Sequence, residues 1–288
     1  MKAMGRKSFL FVAVLIFIST SISPIDAVWA EQSQQATAIK GEDDSWHFQI
    51  APYGWLTALH GEAWGKHGRK ADIDVDLDDS IDLIDKIEFA FMGRVEIEKG
   101  RWGLLFDGAY IKLEDSANFE KEINVPIVVP QPITIQGRVD VTSEMSIIQA
   151  AISYDVYRSR VAVGKRPELI IEAMAGARYN YLRTKIDLEV ARRHWSAEGD
   201  ENWTDPIIGG RLLWQPHKNW QLNLDADAGG FGAGSHFSSN LNAGVAYRIN
   251  EWLLLNGGYR ALYNNFGEDQ FKFHVWIHGP WLGIAFEF

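Results

Sequence analysis

Charged side chains recur at alternate positions in stretches that are otherwise apolar. Arg94, Glu96 and Glu98 alternate with Gly93, Val95 and Ile97; Asp225 and Asp227 alternate with Leu224, Ala226 and Ala228. An extended chain sends successive side chains to opposite faces, so such a stretch has one charged and one apolar face. On this reading Arg94, Arg178, Arg211, Arg248 and Arg260 share an enclosed face with Glu96, Glu98, Asp107, Glu172, Asp225 and Asp227. Near balance between the two signs predicts ion pairing. Either the pairs fill a narrow lumen, or they line a small polar pore or ligand cleft. Arg211 and Asp225 flank the short turn at 216–219 at comparable heights and are expected to pair.

Other chemistry is weaker. His60, His67, His194, His236, His274 and His278 fall in loops or outer strand ends. Ser235, His236 and Asp205 could meet at a rim, but no Gly-x-Ser-x-Gly elbow and no His-x-x-x-His pair with a Glu base accompanies them. His274 and His278 are too far apart along a strand to chelate one metal easily. Solvated rim histidines are the better reading. The acids between Asp74 and Asp85 suggest calcium, yet neither the Gly nor the terminal Glu of an EF-hand is in place. Ile81, Ile84 and Ile87 instead predict a short amphipathic helix that packs on the mouth of the fold or folds into it. The chain has no cysteine, which excludes disulfides, thiolate metal sites and a lipid-modified cysteine. No catalytic residue, metal or cofactor is assigned.

Ten strands are expected to hold these groups, with 8–12 possible. They run approximately 46–58, 89–98, 102–113, 141–157, 169–182, 204–214, 219–230, 239–249, 252–263 and 271–288. Most are near the 9–11 residues of a tilted membrane strand. Connections alternate between short (99–101, 216–219, 250–251, and a medium 158–168) and long (59–88, 114–140, 183–203, 231–238, 264–270). Trp46, Trp102, Tyr157, Trp214, Trp220, Tyr247, Trp252 and Phe288 lie beside the short turns. Tyr53, Trp55, Phe89, Phe91, Tyr110, Tyr179, Tyr181, Trp203, Phe237 and Tyr259 lie beside the long loops. Two aromatic girdles, short turns at one end and long loops at the other describe a closed antiparallel transmembrane β-barrel. Its even strand number predicts both barrel termini in the periplasm.

The ends of the chain agree. Lys2, Arg6 and Lys7 precede an apolar run at 9–18, and small residues at Val28 and Ala30 fit cleavage, so 1–30 reads as a signal peptide. Residues 31–45 read as a flexible periplasmic lead-in, and 46–288 as the barrel. The chain's net charge is −10; the leader's +2 puts the remainder near −12, which argues against nucleic acid as partner. Leu282, Ile284, Phe286 and Phe288 alternate with small or polar residues and resemble the C-terminal targeting signal of bacterial outer-membrane barrels. Upstream, Phe271, Phe273, Val275 and Ile277 have the opposite parity, which predicts a bulge at Gly279–Pro280.

Several segments together carry a wider resemblance: 89–96 (FAFMGRVE), 99–107 (KGRWGLLFD), 175–181 (AGARYNY), 203–209 (WTDPIIG), 229–235 (GGFGAGS), 258–260 (GYR) and 279–283 (GPWLG). They resemble a widespread, largely uncharacterised group of bacterial outer-membrane β-barrel proteins, over nearly all of 46–288. His236 stands where that group is expected to carry Asp. The resemblance implies a fold and a location in the Gram-negative outer membrane, but no substrate. The expected partners are outer-membrane lipid and lipopolysaccharide and the barrel-assembly machinery, with the oligomeric state open. The expected role is non-enzymatic and porin-like: envelope-structural, or binding or passage of a small solute through a narrow charged lumen. The alternative is a hydrolase acting on lipid or peptide at the extracellular rim.

Overall fold

A computed structural model describes residues 45–65, 69–123, 133–159, 161–163, 166–190, 193–268 and 271–288. The expected signal peptide, and all of the lead-in except Ser45, lie outside the described residues.

Ten long strands form the wall: β1 (Trp46–Trp55), β4 (Ile87–Lys99), β5 (Trp102–Ile123), β6 (Ile133–Arg158), β9 (Leu169–Val190), β10 (Arg193–His217), β11 (Trp220–Gly229), β12 (Phe237–Arg248), β13 (Leu253–Glu268) and β14 (Phe271–Glu287). Each pairs antiparallel with the next, and β14 returns to β1, so the sheet closes. Phe48 and Phe288 exchange backbone hydrogen bonds of 3.1 and 2.9 Å at this seam. A closed sheet leaves no unpaired edge. The fold is therefore the expected ten-stranded antiparallel barrel.

The insertion after β1 is more ordered than a loop. Strands β2 (Ala58–Gly65) and β3 (Arg69–Val75) form a hairpin, and β2 pairs with the upper half of β14 in the register that β1 uses below. The expected helix follows as α1 (Leu77–Asp82) and a 3-10 turn (Ile84–Lys86). Asp78 and Asp79 lie in its first turn, and the Asp76 N–H donates to the Asp79 carboxylate at 3.1 Å. A two-residue pair, β7 (Ala162–Val163) with β8 (Arg166–Pro167), decorates the medium connection.

Three expectations need correction. First, much of 114–140 and almost all of 183–203 is paired strand, not loop. The β9–β10 ladder runs unbroken to Val190↔Arg193, and β5–β6 pairs out to Ile123↔Ile133. These strands are 22–26 residues long against 10 in β11, so the wall is far taller on one side. Polar residues on the outer face, such as Lys185 paired with Asp187 at 2.7 Å, disguise the extension as loop.

Second, no bulge exists at Gly279–Pro280. The β13–β14 register holds from Leu253↔Phe286 to Glu268↔Phe271. Odd-numbered β14 residues face inward throughout. What changes is the interior, which turns from polar to apolar, so Phe273, Val275 and Ile277 are buried inside while Leu282 and Ile284 are exposed outside. Third, Tyr53, Trp55 and Trp203 do not belong to the outer girdle. Tyr53 is half-buried and Trp55 and Trp203 are buried, all three facing the interior.

The exterior follows the alternation. Phe48, Ile50, Phe106, Ile152, Ile208, Leu241, Val245 and Ile284 are exposed apolar side chains. All eight aromatics beside the short turns are exposed, with cross-strand pairs such as Trp220–Tyr247 at 4.9 Å and Trp102–Tyr154 at 4.8 Å. Inside, a small-residue layer (Ala51, Ala246, Leu254, Ala285) lies toward the short turns. A charged layer follows, then an apolar cluster of Trp55, Ile147, Trp203, Leu262, Phe266, Phe273, Val275 and Ile277.

Glycine allows the wall a close approach where Gly244 faces Gly258. A Cβ on Gly258 would lie 2.1 Å from the Ala243 carbonyl oxygen and 2.7 Å from the Gly244 Cα. The refolded barrel should migrate differently on SDS gels before and after boiling, because its backbone bonds are all internal. Gly258→Val should abolish the fast-migrating band; its retention would show that this approach is not required.

Candidate functional site

Every charged residue proposed for the lumen points into it, and some pairs cross the lumen while others run along the wall. Arg94 on β4 binds Asp225 on β11 at 2.8 Å. These strands are five places apart in a ring of ten, so this pair spans the barrel. Arg94 also holds Glu96 at 2.6 Å. Arg211 on β10 grips Glu172 on β9 through both Nε (3.1 Å) and Nη2 (2.9 Å), and reaches Glu96 across the lumen at 2.7 Å. Glu98 lies 3.6 Å from the same guanidinium. Two carboxylates around one forked cation is the geometry in which an arginine offsets its own desolvation.

A second group sits alongside. Arg260 on β13 binds Asp107 on β5 at 2.8 Å, Asn240 at 2.9 Å and the Tyr53 hydroxyl at 3.3 Å, and lies 4.9 Å over the Trp55 ring. Arg178 is fully buried and binds Asp227 and Gln149. Asn240 and Asn242 donate to Asp227 and Asp225 at 3.0 and 3.2 Å, and the Trp281 indole closes on Asn242 at 2.8 Å. Cavities of about 80 and 20 Å3 lie at this level. Each has room for at most a few waters.

Arg211 and Asp225 are indeed directly opposed across the β10–β11 ladder. They do not pair as expected: Arg211 turns to Glu172 and Glu96, and Asp225 is taken by Arg94. The closed wall brings β4 within reach of both, which parity along single strands does not show. Arg248, placed inward as expected, pairs with Glu287 at 2.6 Å nearer the short turns.

Above the charged layer lies a cavity of about 1360 Å3. Its floor is Tyr53, Trp55, Phe273 and Trp281. Its walls are Met92, Ile111, Leu113, Met145, Leu182, Ile186 and Ala197, several on the tall extensions of β5, β6, β9 and β10. Leu83, Ile84 and Ile87, at and after the end of α1, complete one side. Ser80 anchors the helix by donating to the Thr57 carbonyl. This apolar vestibule was missed from sequence. Its signal is the inward-parity apolar residues Ala109, Ile111, Leu113, Met145, Ile147, Leu182 and Ile186.

The rim residues are scattered. Asp205 and Ser235 do meet, through the Ser235 N–H donating to the Asp205 carboxylate at 2.6 Å. Both are fully buried while His236 is exposed, so no hydroxyl–imidazole contact forms. His278 bonds the Tyr259 hydroxyl at 2.6 Å, and His274 abuts Trp64. His67 lies outside the described residues. His60 lies 2.9 Å from Asp74 and 3.7 Å from Asp76, with ligand atoms of all three within 4.8 Å of one another. That group could donate to a divalent cation, but it stands on the exterior wall with both carboxylates exposed.

No family model and no curated protein matches the chain. Among solved structures it is similar to the outer membrane protease OmpT from Escherichia coli (TM-score 0.48, 9% identity, 88% of this chain and 100% of that one). It is also similar to the translocator domain of the autotransporter NalP from Neisseria meningitidis (0.38, 13%, 84% and 88%). A third is the attachment invasion locus protein Ail of Yersinia pestis (0.30, 13%, 84% and 98%). Likeness at this level says nothing of activity. The closed barrel stands on its own ladder of hydrogen bonds.

Removing Arg211 would strand Glu172 and leave Glu96 with Arg94 alone. Arg211→Ala should cost roughly 3–5 kcal/mol of folding stability, measured in urea with lipid vesicles. Double-mutant cycles should show strong coupling for Arg211 with Glu172 and for Arg94 with Asp225, and weak coupling for Arg211 with Asp225. A dominant Arg211–Asp225 term would contradict the observed pairing.

Proposed function

We propose that this chain is an integral barrel of the Gram-negative outer membrane, non-enzymatic, that binds a small apolar solute in its outward vestibule. The membrane location is supported by the exposed apolar band and the flanking exposed aromatics, which a bilayer covers and water does not. With the short turns periplasmic, the tall extensions and the vestibule face outward. The binding role rests on one observation: an apolar cavity of about 1360 Å3 standing on a waist crossed by arginine–carboxylate pairs. Ligand sites are concave and mostly apolar, with few polar groups. The crossed waist supports binding over free passage. Hydrolysis at the rim is less well supported, because the histidine–carboxylate contacts among the described residues, His60 with Asp74 and Asp76 and His194 with Asp187, are on the exterior and line none of the cavities described.

Single-channel recording in planar bilayers should show no sustained conductance from the unmodified barrel. Large stable steps would overturn the occluded waist. The neutral aromatic 1-naphthalenemethanol should bind the folded protein in nanodiscs above the empty-disc background. Ala197→Trp, which fills the vestibule wall, should weaken it; unchanged binding would place the site elsewhere.

The apolar side chains Leu282, Ile284 and Phe286, with Phe288, are the part of this proposal that concerns assembly. Leu282, Ile284 and Phe288 are exposed on the wall beside the seam, and Phe286 stacks on Trp252. Phe288→Asp should lower the amount of protein in the outer membrane with little change in the stability of barrel refolded in vitro, since charge near the interface costs roughly 0–1 kcal/mol. Normal outer-membrane levels would remove Phe288 from any targeting role.

A further inference from the structure

The vestibule is not uniformly apolar. The charged residues among its described lining are Glu144, Arg183, Glu198, Asp200 and Glu201. Four of them have outward parity. Arg183 pairs with Glu198 at 2.7 Å and with Glu144 at 3.3 Å, satisfying all three on the outer face. Asp200 is exposed.

Glu201 differs. It belongs to the inward series of β10 with Trp203 and Asp205, which are 5% and 0% exposed, and it is itself half-buried between exposed Asp200 and Asn202. Its cross-strand neighbour on β9 is Leu182, an apolar wall residue of the cavity. On the other side β11 has already ended at Gly229, opposite Ile207, so no β11 residue stands beside Glu201. Among the described residues no ion pair or hydrogen bond engages the Glu201 carboxylate. One step deeper, Trp203 stacks on Phe266 with ring centroids 4.3 Å apart and lies 5.9 Å from Phe273.

We infer that Glu201 makes the vestibule selective for small amphiphiles carrying one positive charge, the ammonium meeting Glu201 and the apolar body lying against the vestibule wall. The inference rests on the vestibule being a binding site. The physical reason is charge complementarity. A carboxylate held against apolar side chains has lost part of its hydration, and a ligand cation replaces it. An anionic ligand with the same body meets repulsion instead, and a neutral one gains only from burial.

The test uses three ligands with one ring system: 1-naphthylmethylamine, 1-naphthalenemethanol and 1-naphthoate. Each is measured by equilibrium dialysis against the folded barrel in nanodiscs, with empty discs as blank. The amine should bind about tenfold or more tighter than the alcohol, the worth of one charge-assisted contact. Glu201→Gln should erase that preference while leaving alcohol binding unchanged. Glu201→Lys should reverse it in favour of naphthoate. The band shift on unboiled gels confirms that each variant is folded. Equal affinities in the unmodified protein, or an amine preference that survives in Glu201→Gln, would overturn the role of Glu201 while leaving the vestibule intact. Failure of all three ligands to bind would overturn the vestibule reading itself.

Discussion

A sheet that closes on itself allows no neutral face. Every second side chain must enter an enclosed space, and every other one must meet whatever surrounds the wall. The exterior answer here is uniform along the spanning part of the strands: Phe106, Ile152, Ile208 and Leu241 outside, with aromatics below. The interior answer is layered, with charge at the waist and an apolar chamber above. The waist charges have no bulk water to turn to, so their positions are dictated by one another. Arg211 with Glu172 and Glu96, Arg94 with Asp225, and Arg260 with Asp107 join six strands, and three of these pairs link strands that are not neighbours in the sheet.

That dependence explains what was legible in the sequence. Parity along a strand is a local property, and it placed all eleven charged lumen residues inward. It placed Leu282, Ile284 and the girdle of Trp102, Trp220 and Trp252 outward with equal ease. Partner choice is not local. Arg211 and Asp225 are opposed across one ladder, yet each takes a carboxylate or guanidinium from beyond it, because β4 comes round the ring to face both. Only ring size and tilt decide which inward residues share a height.

The errors in reading apolar residues have one cause. Outward and inward apolar positions look alike in a sequence, and a charged lumen gives no reason to expect an apolar series inside. Phe273, Val275 and Ile277 therefore required a bulge that the β13–β14 ladder does not contain. Trp55 and Trp203 were counted in a girdle for the same reason. The tall extensions were hidden by the opposite confusion: outside the bilayer the outer face of a strand is free to be polar, so alternation of Lys185, Asp187 and Glu189 with Thr184, Ile186 and Leu188 resembles a solvated loop.

The closing seam has a consequence for how the barrel forms in time. Most ladders join strands that follow one another directly or across one small insertion, from β4–β5 to β13–β14. Their turns close short loops, which is fast and entropically mild. The seam of β1 and β2 on β14 joins the two ends of nearly the whole barrel sequence. That joint therefore carries the largest single loop-closure cost in the barrel. Until that joint shuts, Arg94 and Glu96, on the strand beside β1, are free to stand apart from Asp225 and Arg211. The waist network is therefore a late-forming lock, set by the same event that removes the last open edge.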